Sequence, residues 1–106
     1  MFTYKQAERL AQTWVDLVGG GEFTIVPKHT LDKPYGWVFF YNHKRFIEDG
    51  DEKFQLGGNA PIIVDRVNGE LRVTGTAGRL EDYLAEYEAT LPPARLQMRP
   101  EPHEKI

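Results

Sequence analysis

The residue types that most often carry chemistry are thinly spread along this chain. Its histidines are His29, His43 and His103. None has a second histidine three or four residues away, the spacing that puts two imidazoles on one helix face for a metal. His43 could join Asp49 or Asp51 in a composite metal site only through a converging loop, so exposed loop histidines are the expectation. Cysteine and serine are both absent, which removes disulfides, thiolate zinc sites and Cys or Ser nucleophiles. Asp49 and Asp51 fall in a polar stretch and Asp65 late in an apolar run. General acid–base work needs a carboxyl whose pKa a pocket has shifted, and spacing alone marks none. Gly57-Gly58-Asn59 and Gly75-Thr76-Ala77-Gly78 carry neither the Lys-Ser/Thr of a phosphate-binding loop nor a strand–GxGxxG–helix pattern. The second could offer free N–H groups to an anion beside Arg79, but a turn with Thr76 as helix cap is the simpler reading. No metal, no cofactor and no enzymatic activity are expected.

What remains is a surface chemistry. Aromatic residues make up 12% of the chain. In the run Trp37-Val38-Phe39-Phe40-Tyr41, strand alternation points Trp37, Phe39 and Tyr41 one way and Val38 and Phe40 the other. Either both sheet faces are covered, by helices, the tail or a second copy, or one aromatic face is open. Next to it, Glu48, Asp49, Asp51 and Glu52 crowd around Gly50. Aromatic anchors rimmed by charge suit a protein–protein contact, so Trp37, Phe39, Tyr41, Glu48, Asp49, Asp51 and Glu52 are the candidate partner-binding residues.

The elements that must position them are legible from periodicity. Thr3 and Gln6 have capping-box spacing. Ala7, Leu10, Ala11, Trp14, Leu17 and Val18 then form one apolar stripe, which predicts a helix ended by Gly19-Gly20-Gly21. Residues 22–28 alternate as a strand until Pro27. Residues 29–36 read as a turn-rich connection, 37–41 as a strand, and 42–54 as a loop with a short strand near 45–47. Residues 62–66 and 70–74 flank Asn68-Gly69, the signature of a hairpin with a type I′ turn, and Asp65 is placed to accept N–H bonds from that turn. Leu80, Tyr83, Leu84 and Tyr87 make a second helical stripe with an acidic outer face. Pro92-Pro93 ends it. The expected fold is α+β: an N-terminal helix, an antiparallel sheet of about four strands including the hairpin, and a C-terminal helix, with the helices on one sheet face. Residues 1–91 form the single domain, and residues 92–106 a proline-rich, loosely ordered tail.

Composition bounds the role. A chain of 106 residues holds one domain. Thirteen Lys+Arg against sixteen Asp+Glu leave a net charge of −3, opposite to the basic stripe of a nucleic-acid binder. No apolar run approaches a membrane span, and the N-terminus lacks the pattern of a signal peptide. A cytoplasmic protein is expected.

The middle of the chain resembles a known family. Gly36-Trp37-Val38-Phe39-Phe40-Tyr41-Asn42 is similar to the W-x-F-x-Y/W strand of the YrhB-like domain, also classed as bacterial immunity protein family thirty-five. Leu56-Gly57-Gly58-Asn59-Ala60-Pro61-Ile62-Ile63-Val64-Asp65-Arg66 resembles its G-N-x-P-I-x-V-D stretch. Asn68-Gly69, Gly75-Thr76 and Glu81-Asp82-Tyr83-Leu84-Ala85-Glu86-Tyr87 match its hairpin, its G-T and its closing helix. The resemblance implies a small protein that binds and neutralises a cognate toxin; the homodimer that a second copy over the aromatic face would form is a separate expectation from the strand pattern. The alternative is a chaperone-like protein binding a client or a biosynthetic enzyme. A small-molecule binder using the groove under the first helix would need a buried polar group there, and the stripe offers none.

Overall fold

The computed structural model describes residues 1–56 and 59–103. Helix α1 (Tyr4–Gly19) starts at Thr3. The Thr3 N–H donates to Gln6 Oε1 at 3.0 Å, and the Gln6 N–H returns a bond to Thr3 Oγ1 at 3.2 Å, so both side chains serve as cap. Six short strands follow, with helix α2 among them: β1 (Phe23–Ile25), β2 (Leu31–Lys33), β3 (Gly36–Phe39), β4 (Tyr41–His43), α2 (Lys44–Asp49), β5 (Ile62–Asp65) and β6 (Leu71–Val73). Helices α3 (Leu80–Ala89) and α4 (Pro93–Leu96) close the chain.

The main sheet is antiparallel in the order β2-β3-β5-β6, and β1 pairs with β4 as a separate antiparallel ribbon. The aromatic run expected as one strand is therefore split at Phe40, where the chain leaves the main sheet for the ribbon. The helices do not share one face. Tyr4, Ala7, Ala11 and Val15 of α1 cover Trp37, Phe39, Ile62 and Val64, while Leu84 and Tyr87 of α3 cover Tyr35, Val38 and Ile63. Strands β3 and β5 are thus buried on both faces, which explains their continuous apolar runs.

The face α1 buries is rotated from the expected stripe. Alanines at 7 and 11 let the helix approach the sheet closely, with Tyr4 and Val15 beside them; Leu10, Leu17 and Val18 are left exposed. Gly36 is required by a different close approach, that of β3 to the β5 backbone. Its φ is +156°, and a Cβ there would lie 2.0 Å from the Val64 carbonyl oxygen.

The β5–β6 hairpin forms as expected, but without a type I′ turn. Only Gly69 has positive φ, at 73°, and a longer loop is closed by Asp65 N–H to Glu70 O and Gly69 N–H to Asp65 O, both 2.9 Å. Asp65 does accept from the loop, taking the N–H groups of Val67 (2.8 Å) and Asn68 (3.3 Å).

Segment 42–54, expected as a loop, contains α2 and a 3-10 turn at Glu52–Phe54. Two asparagines stitch this region down: Asn42 Oδ1 accepts from Leu56 N–H at 2.9 Å, and Asn59 Nδ2 donates to Tyr41 O at 2.7 Å. Gly57 and Gly58, part of the stretch that resembles the family's G-N-x-P-I-x-V-D, lie outside the described residues. The tail was expected to be loose, but its described part, residues 92–103, is fastened to the domain. Arg95 Nη2 donates to both Asp65 oxygens at 2.6 and 2.5 Å, and contacts continue to His103.

Candidate functional site

Two of the candidate contact residues are removed from the surface by the packing of α1. Trp37 and Phe39 are fully buried, because the sheet face they share is the one α1 covers. They are core residues, and the open aromatic face read from the sequence is closed from both sides. Tyr41 differs, since the break at Phe40 carries it onto the ribbon, where it is half-buried. Burial raises the pKa of its hydroxyl above the ordinary value.

Around Tyr41 runs a ladder of half-buried rings. Trp14 of α1 meets Tyr41 edge-on at 6.4 Å, Phe23 of β1 lies 6.1 Å from Tyr41, and His43 meets Phe23 edge-on at 5.7 Å. Phe54 continues the series 4.5 Å from His43, with the Arg45 guanidinium 4.6 Å from the Phe54 ring centre. Ring pairs at such separations hold a fixed, apolar surface. The ladder follows from alternation on the ribbon: Phe23 pairs with His43 and Ile25 with Tyr41, so those side chains rise on one face.

The ladder is bordered by charge and by exposed aliphatics. Glu48 and Asp49 end α2, Glu52 opens the 3-10 turn, and all three are exposed. Asp51 is half-exposed and caps that turn by accepting the Lys53 N–H at 3.1 Å. Among the described residues no ion pair engages these four acids. Ile47, just before Glu48 in α2, is 43% exposed. At the end of α1, Leu17 and Val18 are 79% and 59% exposed, just before Gly19, which lies against the Phe23 ring. The acids and Tyr41 were readable from the sequence. Trp14 belongs to the apolar stripe read for α1 and His43 to the expected loop histidines, while Trp14 and Phe23 both pack against the core as well as joining the ladder.

Other chemical features are absorbed by structure. His43 Nδ1 accepts the Arg45 N–H at 3.1 Å and so caps α2. His103, expected as an exposed loop residue, faces Asp32 across 2.9 Å; His29 is exposed. Among the described residues no three His, Asp or Glu side chains gather as a metal-ligand set. Thr76 does not cap α3, whose cap position is Arg79. The turn ahead of that helix is instead filled by Tyr83, whose hydroxyl accepts the Gly78 N–H at 2.9 Å.

The buried polar residue Asp65 is fully committed. Burial alone would raise its pKa, but bonds from Arg95 and from the Val67 and Asn68 N–H groups outweigh it and hold the carboxyl below its usual range. Tyr87 donates to the same carboxylate at 3.2 Å. Burial first, and the Asp65 charge second, push the Tyr87 phenol up to about 12. The Tyr35 phenol, whose pKa burial and Glu88 also raise, donates to Glu88 Oε2 at 2.9 Å. No helix of the described residues is long and apolar enough to cross a membrane.

The uncharacterized protein YrhB of Escherichia coli (strain K12) is 49% identical over 53 residues, which cover 50% of this chain and 56% of that protein. The matched stretch thus spans little more than half of that relative's length. No solved structure matches. The family model described as Immunity protein 35 matches residues 5–90, from the first turn of α1 to the end of α3, and the chain therefore belongs to the immunity protein 35 family.

Proposed function

We propose that the protein is a non-enzymatic binding module that holds and neutralises a cognate bacterial toxin. The single observation that carries this reading is the family match over residues 5–90. The contact surface we assign is the end of the molecule bearing Tyr41 and its ring ladder, the exposed Leu17 and Val18, and the acids Glu48, Asp49, Asp51 and Glu52. Rigid rings and exposed aliphatics supply desolvated contact. The unpaired acids favour a basic partner, whose approach they accelerate more than they tighten the final complex.

The test begins with the full-length chain, tagged and used to capture partners from its native host, with quantitative mass spectrometry. One near-stoichiometric partner is expected, which arrests growth when expressed alone and is silenced when this chain is co-expressed. A set of many sub-stoichiometric clients, or a stoichiometric partner without toxicity, would overturn the reading in favour of a chaperone or accessory role.

A further inference from the structure

The segment after α4 lies across the main sheet as a strap. Its grip is regular. Arg66 Nη1 donates to the Arg99 carbonyl at 2.6 Å, Trp37 Nε1 to the Glu101 carbonyl at 2.9 Å, and the His103 N–H to Asp32 Oδ1 at 3.0 Å. The domain therefore holds main-chain groups of every second strap residue. Side-chain contacts add to this: Arg66 pairs with Glu101 at 3.6 Å, and the His103 ring meets Tyr4 edge-on at 6.0 Å.

The spacing has a simple geometric origin. Asp32 and Trp37 are cross-strand partners on β2 and β3, and Arg66 follows the end of β5, the next strand. One gripping side chain comes from each strand edge, and strands lie about 4.8 Å apart. An extended, proline-rich chain advances about 3.1 Å per residue, so two residues cover about 6 Å. A slightly oblique strap thus meets one strand every two residues. Pro100 and Pro102 sit between the gripped positions, where they have no N–H to satisfy and keep the segment extended. An indole N–H donating to the carbonyl of a proline-spaced ligand, beside a second aromatic ring, is the physics of polyproline recognition.

We propose that this groove is a peptide-binding site for an extended x-Pro-Glu-Pro-His type segment of another protein, and that residues 99–103 occupy it as a self-ligand, with Glu101 supplying the charge that Arg66 reads. The gripping residues Asp32, Trp37 and Arg66 lie within the family-matched span of residues 5–90, whereas the strap lies outside it. Arg95, pinned to Asp65, tethers the strap close to the groove. Short tethers give effective concentrations of about millimolar, so an incoming segment binds with its affinity reduced by the fraction of time the groove is open. The assignment does not depend on the partner being a toxin.

The test uses the full chain and a fluorescein-labelled peptide of the sequence Leu-Gln-Met-Arg-Pro-Glu-Pro-His. Glu101→Lys with His103→Asp sets like charges against Arg66 and Asp32 and loosens the strap. By fluorescence anisotropy this variant is expected to bind the peptide at least tenfold tighter than the unaltered chain. Adding Arg66→Ala, or separately Asp32→Asn, is expected to return the affinity to the unaltered level or below, with circular dichroism showing each variant folded. Absence of peptide binding by the folded, loosened variant would overturn the proposal, as would binding indifferent to both groove substitutions. A dimer of the unaltered chain that Arg66→Ala dissolves would also overturn it, assigning the groove to a second copy's strap.

Discussion

The carboxylate of Asp65, the last residue of β5, takes both of its oxygens to one nitrogen of Arg95, at 2.6 and 2.5 Å. Only 1% of the Asp65 side chain and 19% of the Arg95 side chain remain exposed. This pair ties the segment after α3 to the centre of the sheet. It also lies behind Tyr87, which reaches the same carboxylate from α3. One buried charge therefore fastens the β5–β6 loop, α3 and α4 together.

Removing either partner should be costly, because the other is left charged and largely desolvated. Arg95→Ala is expected to destabilise the fold by about 3 kcal/mol, as for other broken buried pairs. The pH dependence has a defined sign. Asp65 titrates below its usual range in the folded chain, so its contribution is complete above the unfolded carboxylate pKa, near pH 4, and is lost as pH falls through the folded value. Urea unfolding between pH 7 and pH 2 should show this acid limb, and Asp65→Asn should flatten it. An acid limb of unchanged steepness in Asp65→Asn would contradict the assignment.

Gly36 predicts a harsher outcome. An alanine Cβ would be 2.0 Å from backbone oxygen at Val64, with φ at +156°. Neither the carbonyl nor the strand carrying it can move without breaking the β3–β5 pairing. Gly36→Ala should cost at least about 3 kcal/mol, read as a lower urea midpoint or loss of folded protein on expression.

Gln12 makes a bond pattern normally supplied by a neighbouring strand. Its Oε1 accepts the Ile25 N–H at 2.9 Å and its Nε2 donates to Phe23 O at 3.1 Å. A side chain of α1 thus closes the edge of β1 that β4 does not pair. Gln12→Leu should cost about 2 kcal/mol through the unsatisfied strand groups, and hydrogen exchange at the Ile25 amide should accelerate. Unchanged exchange there would show that the side chain does not protect the edge.

These features differ in how far they could be read from the chain alone. The capping box at Thr3 and Gln6, the hairpin at Asn68-Gly69 and the stripe of α3 are local, and local chemistry decides them. The face of α1 was misjudged because periodicity marks apolar positions without ranking them by size. The sheet selects Ala7 and Ala11 for close approach and leaves Leu17 exposed. Strand β2 and helix α2 are too short to show a period, and α2 owes its start to His43 as a cap. Arg95 and Asp65 lie 30 residues apart, and nothing in their neighbours announces that they meet. The acids of the candidate surface were legible because charge stays exposed. Trp37 and Phe39 were not, since alternation tells which side chains share a face but not what covers it.

The acidic border gives the prediction that bears most directly on function. Asp49 and Glu52 are exposed and make no ion pair among the described residues, so Asp49→Lys with Glu52→Lys should change stability by no more than about 0.5 kcal/mol. If these acids steer a basic partner, reversal should slow association about tenfold or more at low salt and leave dissociation nearly unaltered. The difference should shrink as salt rises, because screening acts on the steering field. Stopped-flow association with the captured partner at several salt concentrations separates these cases. An equal on-rate for the reversed and unaltered chains at low salt would move the contact away from α2, leaving Leu17, Val18 and the ring ladder to be tested next by Leu17→Asp.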